Sequence, residues 1–268
     1  MRLGIGSFTY PWAVASTDSA GARLLDARAL LRRAGALGVR VVQFADNLPL
    51  DRLSEKALDD LGAMAGDMDL RIEVGTRGID EANLRAYAAL AARFGASFVR
   101  VVVDRAEDRP HPDDIEKRLE PVLPDLERAG ICLAIENHDR LPARVLAGMV
   151  ERLGFPRVGV CLDTANSLGA LDDLDTVLSE LARFAVSVHV KDVVARRAPH
   201  GLGFAIEGCP AGTGQIDVPK TLDALRRAGR DVSVVLEQWP PSEADLGATV
   251  AKEASWAEES IAYLRTLV

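Results

Sequence analysis

Apolar residues gather in eight short runs along the chain, near residues 3–7, 39–44, 71–76, 97–103, 132–138, 158–163, 186–192 and 232–238. In the later runs large and small side chains alternate with a period of two. Leu133 and Ile135 alternate with Cys132, Ala134 and Glu136, and Val158, Val160 and Leu162 with Gly159, Cys161 and Asp163. Val186, Val188 and Val190 alternate with Ser187, His189 and Lys191, and Val232, Val234 and Leu236 with Ser233, Val235 and Glu237. This period predicts strands. The intervening segments are rich in Ala, Leu and Arg, as in residues 19–38 and 80–95, and predict helices. Gly38, Gly95, Gly130 and Gly229 stand where helix C-termini take glycine.

Eight strand–helix units in 268 residues predict an α/β protein, a (β/α)8 TIM barrel filling residues 1–268 as a single domain. The competing doubly wound sheet carries a Gly-rich phosphate loop after its first strand, and "GIGSFTYPW" contains no GxGxxG. No composition shift marks a second domain. The longest stretch without a periodic pattern, 193–216, is expected to be an irregular loop of functional length.

Composition narrows the function. A net charge of −8 argues against a nucleic-acid binder, which presents a basic face. The three cysteines, Cys132, Cys161 and Cys209, lack CxxC spacing and point to a reducing compartment. Without a signal-peptide pattern or a membrane-length apolar run, a cytoplasmic protein is the expectation, with no membrane partner.

The alternation carries chemistry. Bulky aliphatics face the helices, so Glu136, Asp163, His189 and Glu237 share the inward parity near the carboxyl ends of four consecutive strands. That rim is where barrel enzymes place their active sites. Three carboxylates and an imidazole converging there repel one another unless a cation joins them. An oxygen-rich set with one nitrogen suits a single divalent ion, Mn²⁺ first, with Mg²⁺, Co²⁺ or Zn²⁺ as alternatives.

The stretches "AIENH", "CLDTANS", "VHVKD", "GTGQID" and "VLEQW", with the terminal "SWAEESIAYLRTLV", resemble the xylose isomerase-like TIM barrel superfamily. They are similar to its sugar phosphate isomerase/epimerase group, which includes ketose 3-epimerases, hydroxypyruvate isomerases and inosose dehydratases. The resemblance implies a metal held by Glu136, Asp163, His189 and Glu237, with the two glutamates doubling as catalytic acid–base groups on opposite faces of a small carbohydrate. It implies an isomerase or epimerase of a keto sugar or sugar acid acting through an enediolate. A lyase on the same site, a dehydratase or a decarboxylase of a 3-oxo sugar acid, is the alternative, because the same enolate arises from either path. Two places depart from the ketose 3-epimerases. Their histidine three residues after the aspartate ligand is Asn166 here, and their arginine six residues after the histidine ligand is Ala195, with Arg196 and Arg197 just beyond. These departures argue against a simple free-ketose 3-epimerase. A homo-oligomer is compatible with the sequence.

Several further rim residues have two readings. His138 touches a substrate oxygen or caps its strand. Lys191 binds a carboxylate, phosphate or enolate oxygen of the substrate, or pairs with Asp163 or Glu136. Asn166 orients the substrate, and Thr164 bonds locally as the chain turns. Arg196 is a candidate substrate-binding residue. Trp12 and Trp239 form an apolar wall for a sugar face or plug the barrel top. Glu73 and Arg100 share the inward parity and are expected to pair with each other, with support of the metal shell as the alternative for Glu73. The glycines of "PAGTGQID" let backbone N–H groups approach an anion, or simply turn the chain into a helix.

Overall fold

The computed structural model describes residues 1–18, 21 and 23–268. Seven strands come first: β1 (Arg2–Gly6), β2 (Val41–Phe44), β3 (Arg71–Arg77), β4 (Phe98–Val102), β5 (Cys132–Glu136), β6 (Val158–Asp163) and β7 (Ala185–Val190). A ribbon of β8 (Asp192–Arg197) and β9 (Phe204–Cys209) follows, and then β10 (Ser233–Leu236). β1–β7 and β10 form a closed barrel in which every pairing is parallel, with β10 bonded to both β7 and β1. The helices are α1 (Pro11–Ala15), α2 (Ala27–Leu37), α3 (Glu55–Asp67), α4 (Glu81–Phe94) and α5 (Pro112–Leu119), then α6 (Leu123–Arg128), α7 (Ala143–Leu153), α8 (Leu174–Leu181), α9 (Val218–Arg227) and α10 (Leu246–Leu264). The eight expected strands are therefore the barrel staves of a (β/α)8 fold.

The outer core lies between staves and helices. Leu133, Ile135, Val158, Val160, Leu162, Val188, Val190, Val234 and Leu236 are buried there, and they are the bulky partners in each alternation. The barrel interior is unlike it. Gln43, Glu73, Arg100, Glu136, Asp163, Ser187, His189 and Glu237 are all buried. A polar interior of this kind needs every group partnered and the large ones accommodated. Gly75 provides part of that room, since a Cβ there would lie 2.9 Å from Cδ of Arg100.

Local signals set the helix ends. Asp26 accepts from the Ala29 N–H at 2.7 Å and starts α2, so the helix expected over 19–38 begins later, at Ala27. Residues 19, 20 and 22 of that segment lie outside the described residues. Gly38 closes α2 in the left-handed region at φ 65°, as a C-terminal glycine does.

The stretch 193–216 is not irregular. β8 and β9 pair antiparallel from Asp192↔Cys209 to Arg197↔Phe204. The following glycine turn does bind an anion, and the anion is the protein's own. The Asp192 carboxylate accepts from Gly212 N and Gly214 N at 2.9 Å each and from Ile216 N at 3.0 Å. This anchors the ribbon base beside the barrel mouth.

Candidate active site

Two short-range devices aim Asp163. Its Oδ1 accepts from Ala165 N and Asn166 N, both at 2.8 Å, so the chain turns tightly and Oδ2 is left facing the barrel axis. Asn137 fixes the same turn from β5, accepting from Asp163 N at 2.7 Å and donating to Asp163 O at 2.9 Å. The β6–β7 register then sets Asp163 directly beside His189, after a register shift between Val160 and Cys161. Thr164, expected to bond locally, instead bonds across to the end of β7. Its hydroxyl donates to Lys191 O at 2.7 Å and accepts from Lys191 N at 2.9 Å.

The structure brings Glu136, Asp163, His189 and Glu237 together. From His189 Nδ1, Glu237 Oε1 lies at 3.2 Å, Glu136 Oε2 at 3.3 Å and Asp163 Oδ2 at 3.8 Å. All four side chains are buried. Nδ1 makes no hydrogen bond although it is buried. An orphaned imidazole nitrogen ringed by three carboxylates is a donor set that fits a hard divalent cation. Two overlapping groups place ligand atoms within 4.8 Å of one another: Asp163, His189 and Glu237, and Glu136, Cys161 and His189. Burial pushes the Cys161 thiol up, so it stays protonated and is the weaker donor of the second group.

Basic residues already balance part of this charge. Lys191 donates to Asp163 Oδ2, lies 2.8 Å from Glu237 Oε2 and 3.4 Å from Asn166 Oδ1, and sits 5.3 Å from the Trp239 ring centre. Burial would lower the Lys191 pKa, but Asp163, Glu237 and Glu136 outweigh it and raise it, so the side chain is a fixed cation. Arg100 does not pair with Glu73. It donates through Nε to Glu136 Oε2 and through Nη1 to Asp46 Oδ1 at 2.9 Å. Asn166 donates to the other Glu136 oxygen at 2.7 Å. Burial alone would push the Glu136 carboxyl up, but Arg100, His189 and Lys191 hold it well below the usual carboxylate range. His189 shows the same contest. Burial lowers it, and Cys161, Glu237 and Glu136 raise it well above an ordinary histidine.

The remaining expected residues divide. Trp239 comes to the mouth beside Lys191 and is 41% exposed, and the Trp12 indole is tied to Pro240 O at 2.8 Å on the same side. His138 is half-buried and turns to Asp139, 3.1 Å away, because the chain leaves strand geometry after Glu136. Arg196 is not in the site. It lies on the ribbon, 64% exposed, 3.6 Å from Glu207, because β8 leads the chain away from the mouth. Sequence reasoning missed Gln43, Asn137 and Cys161. Gln43 and Cys161 carried an available signal, the inward parity of β2 and β6, but neither residue is charged.

The comparisons agree with this architecture. The chain is 29% identical over 266 residues to a 3-oxo-isoapionate decarboxylase of Pectobacterium atrosepticum, an alignment covering 99% of this chain and 96% of the relative. A D-psicose 3-epimerase structure from Clostridium cellulolyticum H10 superposes with a TM-score of 0.76 at 15% identity, covering 100% of this chain and 99% of the other. A xylose isomerase-like TIM barrel protein from Mycobacterium smegmatis, in complex with magnesium, superposes with a TM-score of 0.70 at 14% identity, covering 98% and 97%. At those identities the two structures establish the fold. Among the described residues no helix is long and apolar enough to cross a membrane. The family model for the xylose isomerase-like TIM barrel matches residues 31–267, and the chain belongs to that family.

Proposed function

We propose that the protein is a divalent-metal-dependent lyase that decarboxylates a 3-oxo sugar acid, using the cluster at the carboxyl end of the barrel. The observation that carries this reading is the clamp on Glu136. Epimerisation by two glutamates needs each of them to take up and release a proton. Here both Glu136 oxygens are held by donors, Arg100 Nε and Asn166 Nδ2, and the group is kept anionic. Decarboxylation asks for no such base. The carbon–carboxylate bond breaks, its electron pair moves onto the 3-oxo group, CO2 leaves, and the enolate takes one proton at carbon. The 29% identical relative is named for a reaction of this class.

The bound cation, Mn²⁺ first and Mg²⁺, Co²⁺ or Zn²⁺ as alternatives, would supply Lewis-acid stabilisation of the developing oxyanion. Glu136, Asp163, His189 and Glu237 would hold it. Lys191 adds a fixed positive charge beside that oxygen, and Asn166, pinned between Glu136 and Lys191, offers its amide to orient the substrate. Glu237 differs from Glu136 in having one lysine rather than an arginine and an asparagine as its partners, and it is assigned the delivery to carbon of a proton drawn from solvent. Trp12 and Trp239 form the apolar side of the mouth against the carbohydrate.

Isomerisation or epimerisation of a related keto sugar is the second reading, favoured by the two glutamates flanking His189 at 3.3 and 3.2 Å. NMR in D2O over a panel of 3-oxo sugar acids, ketoses and inososes, with Mn²⁺ present, separates the two. Decarboxylation gives CO2 and one deuteron at carbon, and isomerisation gives exchange without carbon loss. Turnover of neutral ketoses alone would contradict the proposal. Lys191→Met should lower kcat/KM for acidic substrates on the order of 10²-fold. Unchanged kinetics on every acidic substrate would remove Lys191 from the mechanism.

A further inference from the structure

We infer that Glu73, acting through Gln43, is a positioning residue that fixes hydrogen on Nε2 of His189 and turns the Nδ1 lone pair into the carboxylate cluster. The inference rests on the proposal that this cluster holds a divalent cation.

A chain of donors and acceptors links Glu73 to His189. β2 and β3 pair Gln43 directly with Glu73, both facing the barrel interior. Glu73 is buried and has no close basic partner; its hydrogen bonds come from Gln43 and Ser233. Burial pushes the Glu73 carboxyl up, and the hydrogen bonds from Gln43 and Ser233 oppose that shift. Gln43 presents its NH2 to this carboxyl group, with Nε2 3.0 Å from Glu73 Oε2. The amide carbonyl then points the other way, 2.7 Å from His189 Nε2. A carbonyl only accepts, so Nε2 is the donor in this shorter contact, with Cys161 Sγ beside it at 3.2 Å as a weak acceptor. With a cation in the cluster the imidazole is neutral and carries one N–H, which leaves Nδ1 as the acceptor. Nδ1 is the nitrogen that faces the three carboxylates and has no hydrogen-bond partner.

Burying the Glu73 carboxyl group without an ion-pair partner is costly, and its hydrogen bonds offset only part of that cost. Glu73 sits below the cluster and touches none of its carboxylates. Its bond to Gln43 places it in line with His189, in the arrangement by which outer groups orient metal-binding histidines.

The test uses the full-length protein labelled with ¹⁵N-histidine, as wild type, Gln43→Met, Glu73→Gln and the double variant, each checked for folding by thermal melt. Mn²⁺ affinity is measured by titration, and the His189 ring nitrogens are read by NMR in the Mg²⁺-loaded form. Gln43→Met is expected to weaken Mn²⁺ binding by about 10–100-fold. Glu73→Gln should weaken it in the same direction, because a glutamine both donates and accepts and frees Gln43 to turn. The double variant should match Gln43→Met alone, since Glu73 works only through Gln43. Hydrogen on Nδ1 in the wild type, single variants with wild-type affinity and ring shifts, or additive losses in the double variant would each overturn the relay. A wild type that binds no Mn²⁺, but whose Nε2 shift moves on Glu73→Gln, keeps the relay and removes the metal proposal instead.

Discussion

Replacing Glu237 by glutamine is expected to lower kcat by about 10²–10⁴-fold while leaving the barrel folded. The substitution keeps the size of the side chain but removes its ability to carry a proton. Glu237 is the carboxylate whose Oε2 lies 2.8 Å from Lys191, and in the proposed reaction it protonates the product carbon. Because Glu237 Oε1 also belongs to the group that fits a cation, metal content has to be measured with activity. A variant that retains its metal and loses turnover assigns the proton to Glu237. A variant that retains both would exclude it. The matching change at Glu136 should behave differently, since it removes the anion that balances Arg100 and should cost stability as well as activity.

Arg100→Met is expected to destabilise the metal-free protein by about 3–5 kcal/mol, the range for removing one partner of a buried ion pair. The guanidinium is fully buried between Glu136 and Asp46, and both carboxylates would be left without it. Asp46 retains Arg77 at 2.9 Å, so the larger share of the loss falls on Glu136. That assignment has a consequence in denaturant unfolding. Added Mn²⁺ should restore part of the lost stability, because the cation binds the folded state and takes over the compensation of Glu136. A loss below about 1 kcal/mol would show that the pair is not uncompensated when broken.

The sequence made the staves and four of their inward ends legible because a period of two fixes which face a residue takes. It could not fix height within the barrel, because the stagger between strands is a property of closure. Arg100 shows the consequence. β3 and β4 set it beside Gly75, so Glu73 lies one layer lower, and β4–β5 register sets it beside Ala134, so it reaches up to Glu136. The same layer offset hid the Gln43–Glu73 pair beneath His189. Parity also fails where a strand stops. His138 shares it with Glu136 yet turns to Asp139, whereas Asn137, of the opposite parity, turns in to bond Asp163. The ribbon is hard to see in the sequence because charged and small residues break up its apolar ones and Phe204 and Ile206 are exposed rather than part of a core, so Arg196 was expected at the mouth instead of on the ribbon's exposed surface.

The measurement that bears most directly on the account is anomalous diffraction from crystals of the protein grown with Mn²⁺. The account predicts one strong peak inside the barrel mouth, within coordination distance of Glu136, Asp163, His189 Nδ1 and Glu237. A peak elsewhere, or coordination through His189 Nε2 and Cys161, or a saturated crystal with no peak at these four side chains, would contradict it.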